Sequence, residues 1–117
     1  MNRENAWTAI TVLENIPLHE GRSVIIGGQE LAIFHVDGRC LTIDNACPHK
    51  GGPLCDGIVS GTTVVCPLHG RRFDLESGIA VRSSEPVCVR TFPTRVEDGI
   101  VYVDLSQAKR AWKDAAA

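Results

Sequence analysis

The chain has 117 residues, which is enough for one domain with its own buried core, and a formal net charge of −2. Its basic residues are scattered, which argues against a surface for nucleic acid or for an anionic membrane. Residues 1–5 are polar, and we see no apolar signal region, twin-arginine motif or spanning helix in the sequence. We therefore expect a cytoplasmic protein.

Short apolar runs rich in Val, Ile and Thr recur along the chain and predict β-strands. They cover residues 8–13, 22–26, 30–36, 40–44, 58–65, 87–92 and 100–105. Turn dipeptides such as Asp37-Gly38, Ser60-Gly61 and Asp98-Gly99 supply the positive φ that tight hairpins need. The sequence therefore predicts an all-β fold, a small antiparallel sandwich or barrel.

The C-terminal end is the one stretch with helical character. Residues 107–117 consist mainly of strong helix formers, and Ser106 stands where an N-cap is expected. Trp112 would then anchor this helix on the barrel. A frayed tail is the alternative at this length.

Two segments that follow predicted strands each offer one thiol and one imidazole, Cys47-Pro48-His49 and Cys66-Pro67-Leu68-His69. Two Cys and two His suit either tetrahedral zinc or a [2Fe–2S] cluster in which two His replace two Cys on one iron. Zinc modules usually group like ligands, whereas each segment here is mixed. If two such loops approach a two-iron cluster from opposite sides, each can give its Cys to one iron and its His to the other. Buried thiols without any metal are the third alternative.

The stretch CPHKGGPLCDGIVSGTTVVCPLHGRRFDLESGIA, which contains both segments, resembles the cluster-binding region of Rieske-type [2Fe–2S] proteins. The head WTAITVLENIPLHEGRSVIIGGQELAIFHVDG and the tail CVRTFPTRVEDGIVYV are similar to the small subunit of NAD(P)H-dependent assimilatory nitrite reductase. The ferredoxins of aromatic-ring dioxygenases share much of that framework. The resemblance extends over about residues 7–105.

The resemblance implies a single Rieske-like domain over 1–117, with a small cluster-binding lobe at about 44–83. One [2Fe–2S] cluster per chain would be bound by Cys47, His49, Cys66 and His69. The chain would transfer single electrons as the small subunit of an oxidoreductase and would have no substrate site of its own. Its partner would be a large flavin- and sirohaem-containing subunit that reduces nitrite to ammonium. The alternatives are a ferredoxin that links a dioxygenase reductase to its oxygenase, and a structural zinc module.

Respiratory Rieske proteins, which this chain resembles, join their ligand loops by a disulfide at the positions of Gly52 and Leu68, so that bridge cannot form here. The high-potential members also carry hydroxyl groups at the positions of Arg71 and Phe73. Without these donors we expect a reduction potential near the low end of the Rieske range of about −150 to +300 mV.

Three further cysteines and three basic residues lie outside the predicted ligand set. Cys40 and Cys88 lie in predicted strands and are expected to be small core residues, and Cys55 is expected to pack within its loop or to be an exposed thiol without a role. Lys50, Arg71 and Arg72 flank the predicted ligands and form either a docking patch for an acidic redox partner or ordinary solvated charges.

Overall fold

The structure, a computed structural model, describes residues 6–48, 51–68, 70–83 and 86–111. These ranges contain eleven β-strands, several short 3₁₀ turns and no α-helix, which confirms the all-β prediction. The strands are β1 (Trp7–Val12), β2 (Gly21–Ile26), β3 (Gln29–Val36), β4 (Arg39–Asp44), β5 (Ile58–Ser60), β6 (Thr63–Val65), β7 (Arg72–Asp74), β8 (Ala80–Val81), β9 (Thr91–Phe92), β10 (Thr94–Glu97) and β11 (Ile100–Asp104).

The strands form three antiparallel sheets. The first has the order β1-β11-β10, the second β2-β3-β4-β9 and the third β5-β6-β7-β8. The third sheet lies entirely within the range 44–83 that the sequence assigns to a cluster-binding lobe.

Strand β3 explains how the three sheets come together, because it is apolar on both faces. Leu31 and Ile33 contribute to a core with the inner residues of the first sheet, such as Val101. Ala32 and Phe34 point the other way, since side chains alternate along a strand, into a core with residues of the third sheet. The middle sheet is therefore covered on both faces, and the third sheet packs on the face opposite to the first.

Several predicted strands are shorter than the apolar runs that suggested them. The run 58–65 folds as the β5–β6 hairpin because Gly61 takes a φ of +60° in the turn between them. In the run 87–92, Cys88 forms an isolated bridge with Ile79, and strand pairing with β4 begins only at Thr91. There the Arg90 N–H donates to the Asp44 carboxylate at 2.8 Å, which replaces a ladder hydrogen bond.

The predicted C-terminal helix is wrong for the part of it that the structure describes. Residues 105–107 form a single 3₁₀ turn capped by Asp104, whose carboxylate accepts from the Ser106 N–H at 2.9 Å and from the Ser106 hydroxyl at 2.6 Å. The chain then becomes extended, and Lys109 exchanges two hydrogen bonds of 2.8 Å with Thr91 at the open edge of β9. An unpaired strand edge thus outcompetes the helical propensity of this segment. Trp112 lies outside the described residues.

Candidate metal centre

The first ligand loop, residues 45–55, leaves β4 and returns through the 3₁₀ turn Leu54–Asp56. Its two ends are tied together at Asn45, because the Asn45 carbonyl accepts from the Leu54 N–H at 2.7 Å and the Asn45 Oδ1 accepts from the Cys55 N–H at 2.8 Å. The predicted ligand Cys47 follows two residues later and is only 2% exposed.

The second ligand loop, residues 66–71, is the tip of the β6–β7 hairpin. Strand pairing continues up to Val65 opposite Arg72, directly next to the loop. The predicted ligand Cys66 is 1% exposed and belongs to the same buried core as Cys47. The structure therefore brings the two cysteines to one region of the molecule, as the sequence predicts.

The two loops repeat one backbone pattern, which the sequence shows only as a shared Cys-Pro and a glycine four residues after each cysteine. In each loop the cysteine N–H donates to the carbonyl five residues on, and the N–H four residues on donates back to the cysteine carbonyl. These hydrogen bonds are Cys47 to Gly52 (2.9 Å), Gly51 to Cys47 (2.7 Å), Cys66 to Arg71 (2.6 Å) and Gly70 to Cys66 (3.0 Å). The glycines at the fourth position have φ of +72° and +70°, a conformation that glycine adopts without strain.

The loops also touch. A β-carbon placed on Gly52 would lie 2.9 Å from Leu68 Cγ and 3.1 Å from Cys66 Sγ, so the first loop passes directly over the cysteine of the second. The other two predicted ligands, His49 and His69, lie outside the described residues, as does Lys50.

These observations fit a [2Fe–2S] centre held between the loops. Two thiols buried in one core are chemically suited to iron as thiolates. The bare α-carbon of Gly52 against Cys66 Sγ leaves close approach possible on that side. The repeated backbone pattern would present Cys47 and Cys66 to one centre in the same way.

The three other cysteines are not in disulfides. Cys40 and Cys88 are buried, as predicted, and burial raises the pKa of the Cys40 thiol to about 11. Cys55 is half-buried, and its pKa is raised by burial and by the neighbouring Asp56 carboxylate, so it is a poor nucleophile.

The basic residues near the loops have different surroundings. The Arg71 guanidinium donates to the Ser83 hydroxyl at 3.1 Å and is half-buried, whereas Arg72 is exposed in β7. Away from the loops, His35 is a β3 residue whose Nδ1 lies 2.8 Å from the Ile16 carbonyl oxygen, and the exposed His19 lies 3.5 Å from Asp37.

Sequence reasoning missed the polar residues that fix the start of the first loop. Asn45 is buried, and the adjacent Asp44 carboxylate forms a bidentate ion pair with Arg90 at 2.7 to 3.2 Å. Hydrogen bonding to this carboxylate raises the pKa of Arg90. The only sequence feature that points to these residues is the pair Asp44-Asn45 at the end of an apolar strand. Such a pair is also typical of ordinary solvated turns, so it does not indicate a tertiary role.

The described residues contain no helix long and apolar enough to span a bilayer.

Comparison with known proteins agrees with this geometry. The profile of the Rieske-like [2Fe-2S] domain family matches residues 6–104. The ferredoxin component of the naphthalene 1,2-dioxygenase system of Pseudomonas aeruginosa is 34% identical over 100 residues, which cover 86% of this chain and 96% of that protein.

Solved structures of two kinds share the fold. A chain of the complex of reduced oxygenase and oxidized ferredoxin in carbazole 1,9a-dioxygenase is 26% identical, with a TM-score of 0.76 over 88% of this chain and 94% of the other. A protein named as an NADH-dependent nitrite reductase small subunit, from Mycobacterium tuberculosis, is also 26% identical, with a TM-score of 0.76 over 91% of this chain and 96% of the other. With two buried cysteines on paired loops and a family match across most of its length, the chain belongs to the Rieske-like [2Fe–2S] domain family.

Proposed function

We propose that this chain is the ferredoxin component of an aromatic-ring dioxygenase system, a carrier that takes single electrons from a reductase and passes them to a terminal oxygenase. Electron transfer through a Rieske [2Fe–2S] cluster is the function of the family. The observation that carries the finer proposal is the 34% identity to a dioxygenase ferredoxin component, which is matched over 96% of its own length. The resemblance of the head and tail sequences favoured the nitrite reductase small subunit, and the identity to the dioxygenase ferredoxin favours the other candidate instead.

We propose Cys47, His49, Cys66 and His69 as the cluster ligands. When bound, the cluster accepts and releases one electron. The chain contributes the two buried thiols and two loops whose backbones are tied in the same way. Burial of the thiols keeps water away from the sulfur ligands, and the hydrogen-bonded loops limit their movement when the charge changes.

Ligation is tested by replacing each proposed ligand in turn with Ser or Ala and measuring iron and acid-labile sulfide. Each replacement is expected to abolish the red-brown absorption and the rhombic signal of the reduced cluster. Full retention of the cluster in any one of them would exclude that residue. Zinc in place of iron and sulfide in the wild-type protein would support the structural zinc alternative instead.

The nitrite reductase small subunit is the second candidate. It is favoured by the similarity of the head and tail sequences to that subunit and by the 26% identity to the Mycobacterium tuberculosis protein over 96% of its length. The partner would then be the large flavin- and sirohaem-containing subunit, and both proposals place the chain in the cytoplasm as one domain with its cluster-binding lobe at about 44–83.

Purification of the tagged chain from its native host, followed by reconstitution with each partner found, distinguishes the two candidates. A reductase and an oxygenase, together with NAD(P)H-dependent oxidation of an aromatic substrate, are expected. A flavin- and sirohaem-containing partner that reduces nitrite to ammonium only when this chain is present would overturn the ferredoxin proposal in favour of the second candidate.

A further inference from the structure

The first ligand loop is anchored at its base by one buried amide side chain. Asn45 is 3% exposed, its Oδ1 accepts from the Cys55 N–H at 2.8 Å, and its Nδ2 donates to Glu30 Oε2 at 2.8 Å. We propose that Asn45 is a positioning residue, which holds the first loop in the geometry in which Cys47 binds the cluster. The inference rests on the proposed ligation by Cys47.

The two loops differ in how their ends are held. The second loop has a strand on each side, because it closes the β6–β7 hairpin. The first loop has a strand only on its N-terminal side, where β4 ends at Asp44. Its C-terminal side is the 3₁₀ turn Leu54–Asp56, which is held by the isolated Ala46–Pro53 bridge, by burial of Leu54 and by hydrogen bonds to Asn45.

Asn45 forms hydrogen bonds through both backbone and side chain. Its backbone N–H donates to the Glu30 carbonyl at 3.2 Å, and its carbonyl accepts from the Leu54 N–H at 2.7 Å. With the two side-chain bonds, one residue connects β3, the end of β4 and the 3₁₀ turn. Asn45 itself is buried, and a buried polar group that loses its partner costs more free energy than the hydrogen bond contributed, so this amide depends on the Cys55 N–H and on the carboxylate of the exposed Glu30.

The direction of the side-chain bonds requires an amide and not a carboxylate. An ionised Glu30 only accepts hydrogen bonds, and the Cys55 N–H only donates. The group between them must therefore donate on one side and accept on the other. Asparagine satisfies both, whereas aspartate at this buried position would set a second carboxylate against that of the exposed Glu30.

The test is the variant Asn45→Asp, which keeps the shape and the acceptor for Cys55 but removes the donor to Glu30. The cluster-loaded protein is challenged with an iron chelator, and the rate of cluster loss is followed by absorption. A rise of about 10-fold is expected, at the lower end of what loss of an outer-shell partner costs in metal affinity, because Asn45 acts through the backbone of the loop. The rhombic signal of the clusters that remain should broaden, because Cys47 is then less uniformly held.

The double variant Asn45→Asp with Glu30→Gln exchanges donor and acceptor, since the introduced amide donates to the introduced carboxylate. It is expected to restore slow cluster loss and the narrow signal. Asn15→Asp is the matched control, because the exposed Asn15 amide donates to Thr11 Oγ1 at 3.0 Å far from the loops, and no change is expected there.

Unchanged cluster loss and an unchanged signal in Asn45→Asp would overturn the inference, and so would a double variant that loses its cluster as fast as the single one. A full cluster in Cys47→Ser would instead refute the proposed ligation and leave the role of Asn45 without its basis. The two failures are therefore distinguishable.

Discussion

Leu68 lies directly over the α-carbon of Gly52, so the two ligand loops meet where one of them has no side chain. The distance from a β-carbon at position 52 to Leu68 Cγ would be 2.9 Å, which real β-carbons essentially never show. The φ of Gly52 is not in the left-handed region, unlike that of its neighbour Gly51. The nearness of the second loop, and not the backbone conformation, therefore favours glycine at position 52.

Gly52→Ala is expected to push the loops apart and to lower both the cluster content and the free energy of unfolding, the latter by about 1 to 3 kcal/mol as for other overpacked sites. Adding Leu68→Ala should restore most of the cluster content, because it removes the obstructing methyl groups. Iron and acid-labile sulfide per chain are the measurements. Gly61→Ala is the control: it strains a turn with φ of +60° but has no atom nearby, so it should lower stability and leave the cluster content unchanged.

The same contact is suitable for an engineered disulfide. In a disulfide the sulfur of one cysteine lies about 3 Å from the β-carbon of the other, which is close to the 2.9 Å between Leu68 Cγ and a β-carbon at Gly52. The double variant Gly52→Cys with Leu68→Cys should therefore oxidise to a bridged form, detectable by its mass and by loss of thiol labelling. Either single variant is the control. A double variant that stays reduced under air would show that the loops are held further apart.

Local sequence predicted the strands and the loops where burial alone decides the structure. Strand β3 is recognisable because its apolar run is long, and Cys47 and Cys66 because their ligand types and spacing are specific. The strand Arg72–Asp74 was missed, since only Phe73 among its residues is apolar. It pairs because the second ligand loop returns it to β6, which is a property of the hairpin and not of the segment.

The misassigned parts depend on partners that are distant in sequence. Lys109 is drawn to the edge of β9 by Thr91, and no local pattern signals that this edge is open. Asn45 looks like a turn residue until Glu30 and Cys55 are seen on either side of it. Polar residues with tertiary roles are in general hard to recognise, because the same residue types are common in solvated turns.

The reduction potential is expected to lie below 0 mV, near the lower end of the Rieske range of about −150 to +300 mV. Phe73 is fully buried in the core that contains Cys47 and Cys66 and has no hydroxyl to donate to a sulfur ligand. Phe73→Tyr should raise the midpoint, since a hydrogen bond worth about 1 kcal/mol changes a one-electron potential by about 40 mV.

A redox titration of both proteins measures this shift. Phe92→Tyr is the matched control, because Phe92 is 4% exposed in the other core and its change should leave the midpoint where it was. A wild-type midpoint above 0 mV would contradict the expectation, as would a midpoint that falls in Phe73→Tyr.

Cys40 should make the stability of the protein depend on alkaline pH. Burial raises the pKa of its thiol from 9.0 to about 11. The folded pKa is above the unfolded one, so the stabilisation is fully present below pH 9 and is lost as the pH rises through 11, because only the unfolded chain releases the proton in between. The loss amounts to about 2 to 3 kcal/mol.

The measurement is the free energy of unfolding of the cluster-free protein under reducing conditions, compared with Cys40→Ala at each pH. The difference in free energy of unfolding between the wild type and the variant should decrease between pH 9 and 11. Parallel curves for the two proteins over this window would mean that the thiol ionises in the folded state as readily as in the unfolded one.

The structure separates the two arginines that the sequence places together beside the second loop. Arg71 donates to Ser83 and is half-buried, so it stabilises the local structure, whereas Arg72 is exposed on β7 next to the loop.

If a partner with an acidic surface docks beside Arg72, Arg72→Glu should lower the rate constant for reduction by the partner reductase at low salt. The difference from the wild-type rate constant should become smaller as ionic strength approaches about 0.5 M. Arg95→Glu makes the same charge change on the first sheet, away from the core that contains Cys47 and Cys66, and should alter the rate much less. Equal rates for both variants at low salt would exclude a docking role for Arg72, because attraction between charges must depend on where the charge is placed.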